Sequence, residues 1–351
     1  MIKHRLFWPV VALVALLLGN RIVTPGFFSV EVKSGHLYGS LIDILLFGAP
    51  LILIALGMVT VIATGGIDLS VGATVAISGA LACYIISDQA NQGSVGGVLF
   101  AVALALVLSL ALGLWNGMLV AWLGIQPIIA TLILMVAGRG VAQLITSGKI
   151  ITVNSPPYKL IGGGYWLGLP FAIIVVVVVA AITAVLVRRT ALGLLIEAVG
   201  GNAEASRLVG IRSRSLIIMA YMFCALCSGI AGLMISSNIA AADGNNAGLW
   251  MELDAILAVV IGGTSLIGGR FSLAGTIIGA LIIQTISTTI YTAGVPSYRV
   301  LVFKAVVVAL VCLIQSPAFR AKVFRRRHKR PPPQPKAEVP ASDSGDLEVS
   351  A

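Results

Sequence analysis

Four groups of polar residues interrupt an otherwise apolar chain of 351 residues. In "VIATGGIDLSVGATVAISGA" (Val61–Ala80), an apolar run breaks at Gly65 and Gly66, passes Asp68 and Ser70, and turns apolar again. Two glycines end one helix, and the oxygen of Asp68 or Ser70 can accept the free N–H groups that open the next. An acid is also favoured there by the helix dipole. Non-helical backbone at membrane depth is tolerated only inside protein or beside a water-filled cavity. The break therefore caps a buried helix or faces a solute path or gate. "VAGRGVAQLI" sets Arg139 between two glycines within an apolar run, as a buried structural partner or as part of a pathway. Asn116, which opens "NGMLVAWLGI", completes this group of candidates: Gly65, Gly66, Asp68, Ser70, Asn116 and Arg139.

The third group lies in a basic loop, "RRTALGLLIEAVGGNAEASRLVGIRSRS" (Arg188–Ser215). Asn202 is a good N-cap and Gly210 a good stop, so Ala203–Val209 is expected to form a helix of about 10 Å. That is too short to cross a membrane and suited to lying on its surface. Glu204 and Arg207 share a face, and Leu208 and Val209 are apolar, so the helix could fill a partner's groove or be an ordinary solvated loop. The fourth group, in "SSNIAAADGNNAGLWMELDA" (Ser236–Ala255), offers Asp243, Asn245, Asn246 and Trp250 on an expected outer loop. Amides and carboxylates can bridge sugar hydroxyls, and an indole can stack on a sugar ring. A docking surface for an external protein, or turn chemistry around Asp243-Gly244-Asn245, would use the same residues.

Enzymatic chemistry is missing. There is no phosphate-binding G-x-x-x-x-G-K-[ST] loop, and His4, His36 and His328 stand apart from any cysteine or carboxylate cluster. Cys224 and Cys227 form C-x-x-C inside an apolar stretch, without the strand-turn-helix setting of a redox motif, and read as packing residues. No metal site is expected, and no cofactor bound by this chain.

The elements that must carry these residues follow from composition. The chain is 58% hydrophobic and 10% charged, against about 25% charged for a soluble domain. Val98–Leu112 and Ala172–Val187, with their flanks, reach the roughly 20 residues that cross about 30 Å of hydrocarbon. The expected fold is all-α, a polytopic transmembrane bundle of about ten spans with room for broken or re-entrant helices. The spans fall near 6–23, 43–64, 70–87, 98–120, 126–147, 169–187, 216–237, 253–267, 273–293 and 300–316. The first is read as a retained span rather than a cleaved signal. Most Lys and Arg, including Lys3, Arg5, the Arg188–Ser215 loop and the tail, then fall on one side, which predicts both termini inside. Lys304 reads as a snorkelling anchor and Asp254 as an outer-end acid.

The net charge of +10 does not point to nucleic acid, because "RAKVFRRRHKR" borders the last apolar span, where basic residues hold a terminus against anionic lipid. Residues 1–320 read as the membrane domain. Residues 321–351, basic and then proline-rich, read as a disordered cytoplasmic tail. The stretches "GGIDLSVGA" and "GGRFSLAGT" echo one another loosely.

Taken in order, "GGIDLSVGATVAISGA", "GLWNGMLVAWLGIQPIIATLILMVAGRGVAQLITSGKIIT", "EAVGGNAEASRLVGI" and "LDAILAVVIGGTSLIGGRFSLAGTIIGALII" resemble the permeases of bacterial ribose-type monosaccharide ABC importers. The resemblance covers about residues 40–316, and "AADGNNAGLWMELDA" is most similar to the galactofuranose branch of that family. It implies a non-catalytic permease in the bacterial inner membrane that moves a galactofuranose, ribose- or galactose-like sugar by alternating access. Its implied partners are a second permease subunit, a periplasmic sugar-binding protein and a cytoplasmic ABC ATPase that binds ATP and Mg. On this resemblance Glu197, Gly201, Asn202, Glu204, Arg207 and Gly210 belong to the ATPase-coupling segment. The rival expectation is a secondary carrier working without an ATPase. A receptor or scaffold is a third.

Overall fold

The computed structural model describes residues 6–315 apart from 24, 25, 34, 167, 295, 297 and 298. The tail expected over 321–351 lies outside the described residues. The helices are α1 (Phe7–Val23), α2 (Ser40–Ala63), α3 (Val71–Ser87), α4 (Val95–Ala121), α5 (Pro127–Ile145), α6 (Pro156–Gly163) and α7 (Phe171–Arg189). They continue with α8 (Leu192–Gly201), α9 (Ala203–Leu208), α10 (Ser213–Asn238), α11 (Met251–Ile261), α12 (Leu273–Thr292) and α13 (Val300–Gln315). Three two-stranded antiparallel sheets pair β1 (Glu31–Lys33) with β2 (His36–Tyr38), β3 (Ile151–Thr152) with β6 (Ala241–Ala242), and β4 (Tyr165–Trp166) with β5 (Leu169–Pro170); only the first and third are hairpins.

Each of the ten expected apolar segments contains one helix, and α6, α8 and α9 are additional. Among the described residues six helices, α2, α4, α5, α7, α10 and α12, are long and apolar enough to cross a membrane. The segment expected over 253–267 yields only the 11 residues of α11, about 16 Å of helix, half of a hydrocarbon core. Local chemistry sets several helix starts. Ser94, Ser155 and Ser272 accept N–H bonds from Gly97, Tyr158 and Gly275, and Pro127 opens α5.

Helix α10 is the central post, packed against α2, α3, α4 and α6. Small residues allow the close approach, as expected where helices associate without a hydrophobic drive. A Cβ on Gly57 of α2 would lie 2.6 Å from the Cα of Cys224, and one on Gly117 of α4 would lie 2.8 Å from the Cα of Ile218. Helix α2 is the most enclosed span, with 83% of its most apolar window buried against 17% for α7. The bundle thus has an interior helix and a rim helix. Cys83, Cys224 and Cys227 are free and buried, the latter two as packing residues of α10.

Lys304, read as a snorkelling anchor, has an acidic partner. Its Nζ lies 2.5 Å from Asp254 Oδ2, with about a fifth of each side chain exposed, and ties α13 to α11. Asp254, read as an outer-end acid, thus packs against α13.

Candidate functional site

The break between α2 and α3 is bonded to three other helices. Gly65 takes φ +86° at the end of α2, a backbone turn that side chains with a Cβ resist. Asp68 Oδ1 then accepts the Ser70 backbone N–H at 2.9 Å and the Ser70 hydroxyl at 2.6 Å. Of the two expected caps, Asp68 acts. Ser70 makes no side-chain capping bond, and its hydroxyl donates to Asp68 instead. Asn116 of α4 donates from Nδ2 to Ser70 Oγ at 2.8 Å. Thr131 of α5 lies 3.3 Å from the Ile67 carbonyl, and the Tyr221 hydroxyl of α10 lies 3.5 Å from it. Asp68 and Asn116 are 1% and 0% exposed. Asp68 Oδ2 and Asn116 Oδ1 have no donor among the described residues.

Three glycine doublets meet just below this break. A Cβ on Gly200 of α8 would fall 1.8 Å from the Ala63 carbonyl oxygen and 2.6 Å from the Gly269 nitrogen. The Gly269 N–H donates to the same Ala63 oxygen at 3.0 Å. Gly268, at φ +99°, would carry a Cβ 2.9 Å from both the Gly200 oxygen and the Gly65 backbone. The end of α2, the end of α8 and the α11–α12 turn are thus in backbone contact. The echo of "GGIDLSVGA" by "GGRFSLAGT" pairs Gly65-Gly66 with Gly268-Gly269 in the sequence, whereas nothing in the sequence joins Gly200 to them.

Helix α9 projects from that junction. The Asn202 side chain accepts the Ala205 N–H at 2.9 Å, as its role as N-cap requires. Glu204 and Arg207 are exposed and paired at 2.6 Å. The helix is one residue shorter than expected, because Ile211 N–H bonds back to the Ser206 oxygen and Gly210 turns at φ +87°. The Ser213 hydroxyl ties the segment to the start of α10 through the Ala203 oxygen. Leu194, Leu208 and Val209 are 74–79% exposed, and with Gly201, Asn202, Glu204 and Arg207 they form an open surface. Glu197 is half-buried on α8, behind that surface.

The stretch expected as an outer loop divides in two. Its first part stays at the β3–β6 end of α10. There Asp243 accepts the Asn246 amide at 2.7 Å and the backbone N–H groups of Asn245 and Asn246. These bonds, the side-chain one foremost, hold the Asp243 carboxyl below the ordinary carboxylate range. They are turn chemistry, and they leave the Asn245 and Asn246 side chains exposed.

The second part enters the bundle. Arg139 Nη1 donates to the Ala247 carbonyl at 2.5 Å, which favours the structural reading of that residue. Trp250, at φ 66° and half-exposed, precedes α11. Glu252 is 2% exposed, and its Oε2 would lie 2.4 Å from a Cβ on Gly72. The N-terminal turns of α3 and α11 therefore meet inside the bundle, with Glu252 at the favourable end of the α3 dipole. Asp68 and Ser70 join Asn116; Arg139 holds a different segment, and Asp243 stands at the opposite end from α9.

A family model described as the branched-chain amino acid transport system / permease component matches residues 40–311. The chain belongs to this permease family. The permease is 49% identical over 324 residues to the galactofuranose transporter permease protein YtfT of Escherichia coli K12, covering 90% of this chain and 93% of that one. It is 40% identical to the fructose import permease FruF of Bifidobacterium longum, covering 94% and 93%. It is 36% identical to the ribose import permease RbsC of E. coli K12, covering 87% and 92%. No solved structure matches it. The permease is thus the non-catalytic, multi-pass inner-membrane component of an ABC importer, working with an ATPase subunit and a substrate-binding protein.

Proposed function

We propose that this permease moves a monosaccharide into the cytoplasm, galactofuranose or a related ribose- or galactose-like sugar, by alternating access driven by a partner ATPase that holds ATP and Mg. The sugar assignment is supported by the three relatives, all named for sugars, one of them 49% identical over nearly the whole chain. We read the chain as making ten passes with both termini cytoplasmic. In that reading the turns of Ala247–Trp250 lead into the half-length α11 of the eighth pass.

The observation that carries the mechanism is the backbone contact of Gly200 with Ala63 and Gly269. Exposed α9, with Glu204, Arg207, Leu208 and Val209, is suited to sit in a groove of the ATPase. Movement of α9 passes through α8 to Gly200. There it acts at once on the end of α2 and on the turn that joins α11 to α12. Both lead directly to broken elements, the Asp68–Ser70–Asn116 cluster above α2 and the α3–α11 meeting point at Gly72 and Glu252. A motor stroke at one end thereby rearranges the helix breaks beside a path through the bundle. A second permease chain, a copy or a paralogue, completes that path. The opposite end, with Asp243, Asn245 and Asn246, receives the sugar-binding protein.

Reconstitution in vesicles tests this reading. The permease with its ATPase and binding protein should accumulate labelled galactofuranose only when ATP is supplied, with ribose and fructose as competitors that rank the sugars. Uptake by the permease alone would overturn the ATPase-driven reading in favour of a secondary carrier. ATP-driven uptake of branched-chain amino acids instead would overturn the sugar assignment.

A further inference from the structure

Helices α2, α7, α8 and α10 enclose a cavity of about 180 Å³ beside the α8–α9 end, with Leu186, Ile196, Leu216, Met219 and Phe223 among its walls. Thr60 and Thr183 also reach it, but their hydroxyls are spent on the carbonyls of Gly57 and Val179, at 2.7 Å each. The walls therefore offer no free polar group of the kind that would hold water. Dry cavities of roughly 150 Å³ with such linings admit apolar molecules the size of benzene. Leu186 and Met219 at its edge are 43% and 48% exposed, so the cavity opens sideways along α7, the least buried of the long helices.

Four cations stand at the helix ends nearest the cavity, the last turn of α7 and the start of α10. Arg188 and Arg189 follow Val187 of the cavity wall directly, and Arg212 and Arg214 lie just before Leu216. All four are exposed. The ion pairs among the described residues join Glu31 to Lys33, Glu204 to Arg207 and Asp254 to Lys304, so none of these four arginines has an acidic partner there. An apolar slot that opens sideways in a membrane protein, at the end of the bundle that carries these four exposed arginines, has the polarity of one class of molecule. We propose that it binds an anionic phospholipid, with part of one acyl chain in the cavity and the phosphate on the arginines. Guanidinium forks suit phosphate oxygens, and basic residues beside a membrane favour anionic headgroups. The bound lipid would brace α7 against α10 next to the coupling segment.

The test uses the purified full-length permease in detergent, with lipid retention read by native mass spectrometry. Dioleoylphosphatidylglycerol should be retained at least tenfold better than dioleoylphosphatidylcholine, and inorganic phosphate should not displace it. Arg188→Gln with Arg189→Gln should weaken retention roughly 30-fold. Met219→Trp, at the exposed edge of the cavity, should lower it with all four arginines present. Both variants should keep the lipid-free melting temperature, which separates lost binding from lost folding. Arg188→Lys with Arg189→Lys should restore part of the retention. Equal retention of the two lipids, or retention unchanged in both variants, would overturn the site. So would a photoreactive group at position 219 that captures a second copy of the chain and no lipid.

Discussion

Helix α9 and the α2–α3 break are built from the same few residue types, yet their bonds run over different distances. On α9, Asn202 caps Ala205 and Glu204 pairs with Arg207, all within a few residues and all exposed. At the break, Ser70 bonds Asn116 across 46 positions, Ile67 reaches Tyr221 across 154, and the polar cluster is buried. A knob with locally closed bonds keeps its shape whatever the bundle does, as a handle should. A break bonded to α4, α5 and α10 changes only when those helices move. The Gly200 junction lies between them, where the proposed coupling would have to pass.

The largest expected effect comes from parting the two regions at that junction. Gly200→Val should push α8 off the end of α2, because its Cβ has only 1.8 Å to the Ala63 oxygen. ATP-driven uptake in vesicles should fall more than tenfold, with the variant still inserted in the membrane. Gly19→Val on α1 is the control, since nothing lies within 4 Å of its Cβ position. Uptake should then change less than twofold, and equal losses in the two variants would refute the junction as the link.

Next in size is the buried side of the comparison. Asn116→Leu removes the donor to Ser70 Oγ while preserving much of the bulk. Leaving a buried polar group unsatisfied costs about 1–3 kcal/mol, which thermal denaturation in detergent would report. Ser70→Ala removes both bonds of that hydroxyl, so the double variant should cost less than the sum of the singles. Additive costs would show that the three residues do not act as one cluster.

The two regions also differ in how far they were legible. Ten apolar runs predicted ten helices, because hydrophobic length is a local property of the chain. The Asn202 cap and the Gly210 stop were legible for the same reason, as was Asp68 as the opener of α3. The helices and the local shape of α9 were therefore largely readable. The partner of Ser70 was not, since no local pattern couples position 70 to position 116. The glycine junction was half legible: the doublets were visible, but their meeting is a product of packing. The descent of Ala247–Trp250 into the bundle was hidden because polar, glycine-rich loops read as surface. The Arg139 bond, the close approach of Gly248 to Gly72 and Val75, and the fit of Glu252 against Gly72 show that it packs on α3 and α5, while Leu249 and Trp250 stay exposed.

A smaller effect is expected on the handle itself. Asn202→Ala removes one cap bond, about 1 kcal/mol, and should raise amide exchange within α9 without changing exchange in α3 or α10. Exposed pairs such as Glu204–Arg207 contribute little to stability. Glu204→Gln should therefore leave the melting temperature in place while weakening co-purification of the ATPase. A melting shift as large as that of Asn116→Leu would place α9 within the core network and undo the contrast.

The smallest effect tests whether the opposite end is equally self-contained. The Asp243 carboxyl is lowered in the fold by the Asn246 amide and neighbouring N–H groups, so the folded loop holds the charged form better than an unfolded one. Its stabilisation is complete above the ordinary aspartate value of about 3.9 and is lost as pH falls through the lower, folded value. Wild-type loop amides at Asn245 and Asn246 should lose exchange protection as pH falls below that range, once intrinsic exchange is allowed for. Asp243→Asn should show weaker protection at neutral pH and no such acid step. Because these bonds span only two or three residues, the change should stop at the loop and leave α3 and α11 untouched. An acid step that spread to Gly72 or Glu252 would mean that this turn, unlike α9, is wired into the buried breaks.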